Sequence, residues 1–290
     1  MGGAAQLRKL LATGDFIAAP GAYDAFSARI IENVGFPAVY LGGNAIGLHL
    51  GVGQPFVTLT ETVLCIRNTL ASIDAPLIVD AGAGFGEPAH VWRTVREIER
   101  AGAAALHIDD QPYPKRAGYH AGRGGLASVE SAAAKLKVAC EARRDRDFMI
   151  IARTDALRVT KSLDEAAARC RVYFEAGAEA IMVLDLPPEQ VGPLKAMIPD
   201  VPLIWFVSPA TPALPTSVLK SAGFRMAFYP FNTIAAVADA VTHLWTSLRD
   251  NGSLDQDPRR VGTLRNSVQD LIGMKTYWDI EARDSEPGKH

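Results

Sequence analysis

Residues 148–185 read FMIIARTDALRVTKSLDEAAARCRVYFEAGAEAIMVLD. The stretch opens on Phe148–Arg153, a near-continuous apolar run ending in an arginine, and closes on a second run, Ala180–Asp185, ending in an aspartate. Runs that are apolar at almost every position suit strands buried on both faces, as in parallel sheets. Between them, Ser162–Glu175 has helical spacing, begins with Ser162 and Glu165 three residues apart, and stops just before Gly177. A serine with a glutamate at that spacing starts a helix, and a glycine past the last turn ends one. The segment is one strand–helix–strand unit.

The unit repeats in both directions. Further strands are expected at Phe16–Pro20, Ala38–Gly42, Pro76–Asp80, Ala104–Asp109, Pro202–Val207 and Arg225–Tyr229. Helices are expected at Glu61–Ala71, Ala89–Ala101, Ser128–Arg143 and Ile234–Arg249; Thr58 with Glu61 repeats the start signal, and Gly35, Gly102 and Gly223 repeat the stop. Eight such units predict an α/β chain folded as a (β/α)8 TIM barrel. An open doubly wound sheet is the alternative, but the glycine-rich phosphate loop after its first strand is missing. The barrel is assigned to residues 1–250 and a C-terminal helical extension to residues 251–290. The extension's apolar residues (Val268, Leu271, Ile272, Met274, Tyr277, Trp278) would pack on this barrel or on a neighbouring subunit.

Composition narrows the function. The formal net charge is −2, with no basic stripe, so nucleic acid and anionic membrane are poor partners. No apolar run is long enough to span a bilayer. Cys65, Cys140 and Cys170 are scattered without ligand spacing, which suits a reducing compartment. The opening residues carry no signal-peptide pattern. A cytoplasmic enzyme acting on a small molecule is expected.

In such barrels the chemistry sits where strands end. Strand ends here carry Tyr40-Leu41-Gly42-Gly43, Asp80, His107-Ile108-Asp109-Asp110 and Arg153-Thr154-Asp155. A carboxylate closing a buried strand is costly unless paired or metal-bound. Asp80 is therefore expected to hold Mg2+ (or Mn2+) directly, with Asp109, and Asp110 beside it, holding bound waters. Arg153 offers a bidentate fork to a substrate carboxylate, and Gly42 and Gly43 offer backbone N–H groups to an anionic oxygen. Tyr40 stands beside them as a candidate catalytic group. His107 reads as an interior histidine with its hydrogen bonds satisfied. The stretch Tyr113–Gly125, with Lys115, Arg116 and four glycines, reads as a lid that closes over an anion.

These motifs resemble the isocitrate lyase / phosphoenolpyruvate mutase superfamily. Asp80-x-x-x-Gly84-Phe85-Gly86, His107–Gln111, Pro114–His120 and Ile151–Ala156 carry the resemblance, which runs over residues 10 to 250 and is similar to the methylisocitrate lyase branch in particular. Tyr40–Gly43 is similar to oxaloacetate decarboxylase-like members. The resemblance implies a Mg2+-dependent barrel working through enolate-like intermediates, and a homo-oligomer (tetramer or dimer) with an exchanged C-terminal helix.

The departures from the family pattern are specific. Ala117 stands where the lyases carry a general-acid cysteine, leaving Tyr119 and His120 as the nearest proton donors. Gly82 replaces a second acid, Leu184 replaces a strand-six glutamate with Asp185 facing the other way, and strand seven offers Trp205 and Phe206. Trp205 is expected to line the substrate pocket, and an apolar wall there favours a bulky, less charged substrate arm. The reading is a carbon–carbon lyase, decarboxylase-like or retro-aldol, acting on a 2-oxo or 2-hydroxy carboxylate. A phosphonate mutase or hydrolase, or a barrel that binds a carboxylate without turning it over, are the alternatives.

Overall fold

The computed structural model describes residues 2–209 and 213–284. Eight parallel strands close on themselves in sequence order, β8 returning to β1. They are β1 (Ile17–Ala22), β2 (Val39–Leu41), β3 (Leu77–Asp80), β4 (Ala105–Asp109), β5 (Met149–Thr154), β6 (Ala180–Val183), β7 (Leu203–Phe206) and β8 (Met226–Tyr229). The expected (β/α)8 barrel is what forms. β1 runs two residues past its expected end because Gly21 and Ala22 pair with Tyr40 and Leu41 of β2.

Helices cover the strands: α1 (Gly3–Thr13), α2 (Ala25–Val34), α3 (Gly43–His49), α4 (Leu59–Leu70), α5 (Pro88–Arg100), α6 (Val129–Ala142), α7 (Ala156–Thr160), α8 (Leu163–Glu175), α9 (Val191–Met197) and α10 (Thr216–Ser221). The Thr58–Glu61 capping box forms in both directions. At α8 only half of it does. Ser162 accepts from the Glu165 N–H, but Thr160 Oγ1 already takes the Ser162 N–H, and Glu165 turns instead to Arg169 at 2.7 Å. Gly177 ends α8 at φ 105°, a left-handed conformation in which a side chain would be strained.

Alternation along each strand sorts side chains into two cores. Ile78, Met149, Ile151, Met182, Ile204 and Phe228 fill the barrel interior, while Val79, Ile150, Ile181, Leu203 and Trp205 face the helix layer. The inward register carries Asp80, Asp109, Arg153 and Phe206 to the top of the barrel.

Two compact units comprise residues 1–233 and 234–290. The second holds nearly all of α11 (Asn232–Asn251), then α12 (Pro258–Leu271) and α13 (Met274–Asp284). Val241, Trp245, Leu264, Tyr277 and Trp278 of these helices are exposed. No described helix is long and apolar enough to cross a membrane.

Candidate active site

The ends of β3, β4, β5 and β7 bring together Asp80, His107, Asp109, Arg153 and Phe206. Asp80 is buried, and both its oxygens are held by neutral donors. Oδ2 accepts from the Gly43 N–H (3.0 Å) and Gln54 Nε2 (3.1 Å), and Oδ1 accepts from the Gly82 N–H (2.8 Å). Among the described residues no lysine or arginine pairs with Asp80; His107 Nε2 lies 3.6 Å from it. The Gly43 N–H, expected to meet substrate, is thus spent on Asp80. A side chain at Gly43 would put its Cβ 2.7 Å from Gln54 Nε2 and 3.1 Å from Asp80 Oδ2, so the glycine is there to let the carboxylate approach.

Asp109 has the opposite surroundings. Its Oδ1 meets His107 Nδ1 at 3.0 Å, and its Oδ2 lies 3.2 Å from Lys115 Nζ and 3.6 Å from Arg153 Nη1. Burial alone would raise this carboxyl, but the Arg153 and Lys115 cations and the His107 hydrogen bond outweigh it and hold the group well below the usual carboxylate range. An ionised Asp109 requires the His107 proton on Nδ1, so in the neutral ring Nε2 accepts from the Tyr40 hydroxyl at 2.8 Å. His107 is a satisfied interior residue, as expected. Tyr40 lies deeper, stacked on Phe228 with ring centroids 4.8 Å apart; burial and then the nearby Asp80 push its hydroxyl far above its ordinary range. It braces His107.

Asp80, His107 and Asp109 could jointly face one cation, their ligand atoms lying within 4.8 Å of one another. Both histidine nitrogens are engaged, which leaves the carboxylates, and oxygen donors suit Mg2+. A cavity of ≈ 30 Å³ bounded by Gly43, Gln54, Asp80, Gly82, Phe85 and Lys115 adjoins Asp80. That is about the room one ion or water needs. A buried carboxylate whose hydrogen-bond donors among the described residues are neutral, beside such a cavity, fits a divalent metal.

Arg153 is held edge-on. Nε and Nη2 donate to Asp155 at 2.9 and 3.3 Å, and Nη2 also donates to the Tyr119 hydroxyl. Its fork is therefore partly engaged within the protein, with the Nη1 side facing Asp109. Asp155 collects Gln111 Nε2 (2.6 Å) and the Tyr119 O–H (2.7 Å) as well. The Phe206 ring lies 5.3 Å from the Arg153 guanidinium.

The lid residues divide. Lys115 and Tyr119 reach into the site, the ammonium 4.8 Å from the Tyr119 ring. Arg116, Ala117 and His120 are exposed, so Arg116 is not brought to the site and His120 stands at its rim. Burial and then Lys115, Arg158 and Arg153 push the His120 pKa down.

Three further expectations are corrected. Trp205 does not line the pocket: its indole is buried against Phe224 in the outer core, because Phe206 takes the inward register. Asp110 does not share the metal site; it turns away and accepts from Thr154, Tyr173 and Arg169. Asp185 does not face away, since a left-handed φ of 56° swings it back over the strand end.

Sequence reasoning missed Gln54 and Arg158. Gln54 opens a single 3-10 turn (Gln54–Phe56) between α3 and α4, too short to leave a periodic signal. Arg158 sits one helical turn beyond Arg153-Thr154-Asp155 on α7, and that spacing from a known strand end was the available clue.

Comparisons with known proteins agree with this geometry. Residues 7–249 match the phosphoenolpyruvate phosphomutase family. The 2,3-dimethylmalate lyase of Eubacterium barkeri is 37% identical over 293 residues, covering 97% of this chain and 98% of that protein. Aligned by structure, a crystal structure of 2,3-dimethylmalate lyase, described as a PEP mutase/isocitrate lyase superfamily member, gives a TM-score of 0.87 at 27% identity and covers 99% of this chain and 97% of that one. Phosphonopyruvate hydrolase in complex with oxalate and Mg2+ gives 0.87 at 27% identity, covering 98% and 99%. The chain belongs to the PEP mutase/isocitrate lyase superfamily.

Proposed function

We propose that this protein is a divalent-metal-dependent carbon–carbon lyase that cleaves a substituted 2-hydroxy carboxylate by a retro-aldol step. The observation that carries the reading is Asp80, a buried carboxylate whose hydrogen-bond donors among the described residues are all neutral, set beside Asp109 and Arg153 at the strand ends. A relative 37% identical over nearly the full length is a lyase named for 2,3-dimethylmalate, a 2-hydroxy acid with two methyl substituents. Leu184, two residues beyond the inward-facing Met182, and Phe206 supply apolar surface for such substituents.

Asp80 would hold Mg2+ (or Mn2+) and Asp109 its water ligands, and the metal would supply Lewis-acid stabilisation of charge on substrate oxygens. The protein's own groups do the rest. The Nη1 side of Arg153 takes the substrate carboxylate and aligns the bond to be broken. In cleavage of a substrate that carries a carboxylate on C3, the 2-hydroxyl gives its proton to solvent, the bond between C2 and C3 breaks, C2 becomes a carbonyl, and C3 keeps the electron pair as the enolate of that carboxylate. Tyr119 is a weak proton donor to that carbon. Its hydroxyl proton is given to Asp155 while Arg153 and Arg158 donate to its oxygen, and burial raises its pKa. With Ala117 in place of the family cysteine, solvent delivers the proton. Lys115 and Tyr119 close the loop over the site.

A homo-oligomer in the cytoplasm is part of this reading. A groove of ≈ 530 Å³ lined by Pro20, Ile30, Ile31, Val34, Phe36 and Tyr229 suits an apolar helix face such as that of α11 from a second copy.

The test is a panel of 2-hydroxy and 2-oxo acids with increasing apolar substitution, incubated with Mg2+ and followed for a 2-oxo product. Cleavage of branched 2-hydroxy acids that carry a carboxylate on C3 is expected. If the enzyme instead released inorganic phosphate from phosphonates, or cleaved nothing while binding them, the lyase reading is overturned.

A further inference from the structure

Behind Asp80 runs a series of hydrogen bonds that begins at a buried lysine. Lys135, on α6, is 3% exposed and donates from Nζ to the Ala83 carbonyl at 3.2 Å. The peptide group bearing that carbonyl donates its N–H, that of Gly84, to Ala81 O at 2.9 Å. The Ala81 peptide group in turn donates its N–H, that of Gly82, to Asp80 Oδ1 at 2.8 Å. An ammonium, two peptide groups and a carboxylate thus stand in one unbroken sequence of donors and acceptors. Each hydrogen bond in such a sequence polarises the next, so a positive charge at one end strengthens the hold on the carboxylate at the other.

The turn between them is built for this. Gly82 and Gly84 adopt φ of 51° and 83°, left-handed values that glycine takes without strain. The Gly82 carbonyl accepts from the Asp109 N–H at 2.7 Å, so the same turn joins the two carboxylates of the site. Gly82 and Ala83 line the ≈ 30 Å³ cavity beside Asp80. Thr94 Oγ1, on α5, donates to the following carbonyl, Gly84 O, at 3.0 Å, but that peptide group lies outside the series.

Lys135 is costly where it stands. An ammonium has three N–H donors, and among the described residues Nζ makes this one hydrogen bond and no ion pair. Burial pushes its pKa down, opposed by the charge of the exposed Glu87. A methionine would occupy the space between α6 and the turn without that desolvation cost. Packing therefore does not account for the charge, whereas the carboxylate at the far end of the series does.

Resting on the reading of Asp80 as the metal carboxylate, we propose that Lys135 is a positioning residue for metal binding, which fixes the orientation of Asp80 through the Ala83 and Ala81 peptide groups. It touches neither metal nor substrate. Its effect is on the direction of the ligand oxygen, and partners that orient a ligand in this way weigh heavily in metal affinity.

The test is Mg2+ calorimetry with thermal melts on wild type, Lys135→Met and Thr94→Val. Lys135→Met is expected to raise the Mg2+ dissociation constant by about tenfold while melting at or above the wild-type temperature. Thr94→Val loosens the same turn outside the series, and should melt lower with its Mg2+ affinity within about twofold of wild type. Lys135→Gln, shorter and uncharged, should reproduce the affinity loss and serves if the methionine variant does not fold. Unchanged affinity in either folded Lys135 variant, equal affinity losses in Lys135→Met and Thr94→Val, or loss of the fold in both Lys135 variants would overturn the proposal. If wild type binds no Mg2+, the metal reading of Asp80 fails and takes this inference with it. If wild type binds Mg2+ and Lys135→Met binds it equally well, this inference alone fails.

Discussion

Replacing Arg153 by lysine keeps a positive charge and removes the planar fork. In the structure the guanidinium bonds Asp155 through Nε (2.9 Å) and Nη2 (3.3 Å), shares Nη2 with Tyr119, and lies 3.6 Å from Asp109. One ammonium can satisfy one of these carboxylates. The variant therefore loses about two charge-assisted hydrogen bonds at about 1.5–3 kcal/mol each. With one contact partly recovered, a net destabilisation of about 2–4 kcal/mol is expected. For a chain of this size that lowers Tm by roughly 5–15 °C. The loss depends on pH with a definite sign. Asp109 is held below its unfolded value of about 3.9, so it stabilises the fold above that pH and loses this contribution as pH falls toward its folded value. Arg153 is the leading cation holding it there, so the deficit of Arg153→Lys should be full above about pH 4 and shrink in acid, and its acid-unfolding midpoint should move to higher pH. Turnover should suffer more than stability, with kcat/KM falling by on the order of 100-fold or more. Thermal melts from pH 3 to 8 alongside steady-state kinetics check both arms. A lysine variant within about 1 °C of wild type and with near-normal kinetics would show that the fork is not what the site uses.

Gly43→Ala should weaken Mg2+ binding by on the order of tenfold or more, read by calorimetry, because the added Cβ meets Gln54 Nε2 at 2.7 Å and crowds Asp80. Lys115→Ala removes the ammonium at Asp109, so the loop between Tyr113 and Gly125 should be cut faster by protease, and oxalate with Mg2+ should protect it less than in wild type. Trp205→Phe should leave kcat/KM within about twofold and cost less than about 1.5 kcal/mol in denaturant melts, since the indole packs in the outer core and its buried Nε1 has no partner among the described residues. A large kinetic loss there would return Trp205 to the pocket.

The barrel was legible because its signal is periodic and local. The buried strands read as unbroken apolar runs, and glycines such as Gly177 marked helix ends by a conformation other residues avoid. The carboxylates and Arg153 were legible for the same reason, since a charge closing an apolar run stands out. Two kinds of information were not local. Inward or outward register at β7 depends on pairing with β6 and β8, so Trp205 and Phe206 could not be told apart from their order alone. Asp185 was misjudged because alternation assumes extended backbone, and its left-handed φ breaks that assumption. Gln54 reaches Asp80 across 26 residues from a 3-10 turn too short to show a period, and only the folded chain brings the two together.

The central claim is that Asp80 anchors a divalent cation on which cleavage depends. Its most direct test is a Mg2+ titration of wild type and Asp80→Asn by calorimetry, with cleavage of a branched 2-hydroxy acid measured on the same samples before and after chelation. The asparagine preserves size and one acceptor but removes the charge, so affinity should fall by on the order of 100-fold. Wild type should bind one cation per chain and lose activity on chelation, and Asp80→Asn should be inactive with its melting curve nearly unchanged. If Asp80→Asn bound Mg2+ as tightly as wild type, or if chelated wild type still cleaved its substrate, the metal-dependent lyase account would be contradicted.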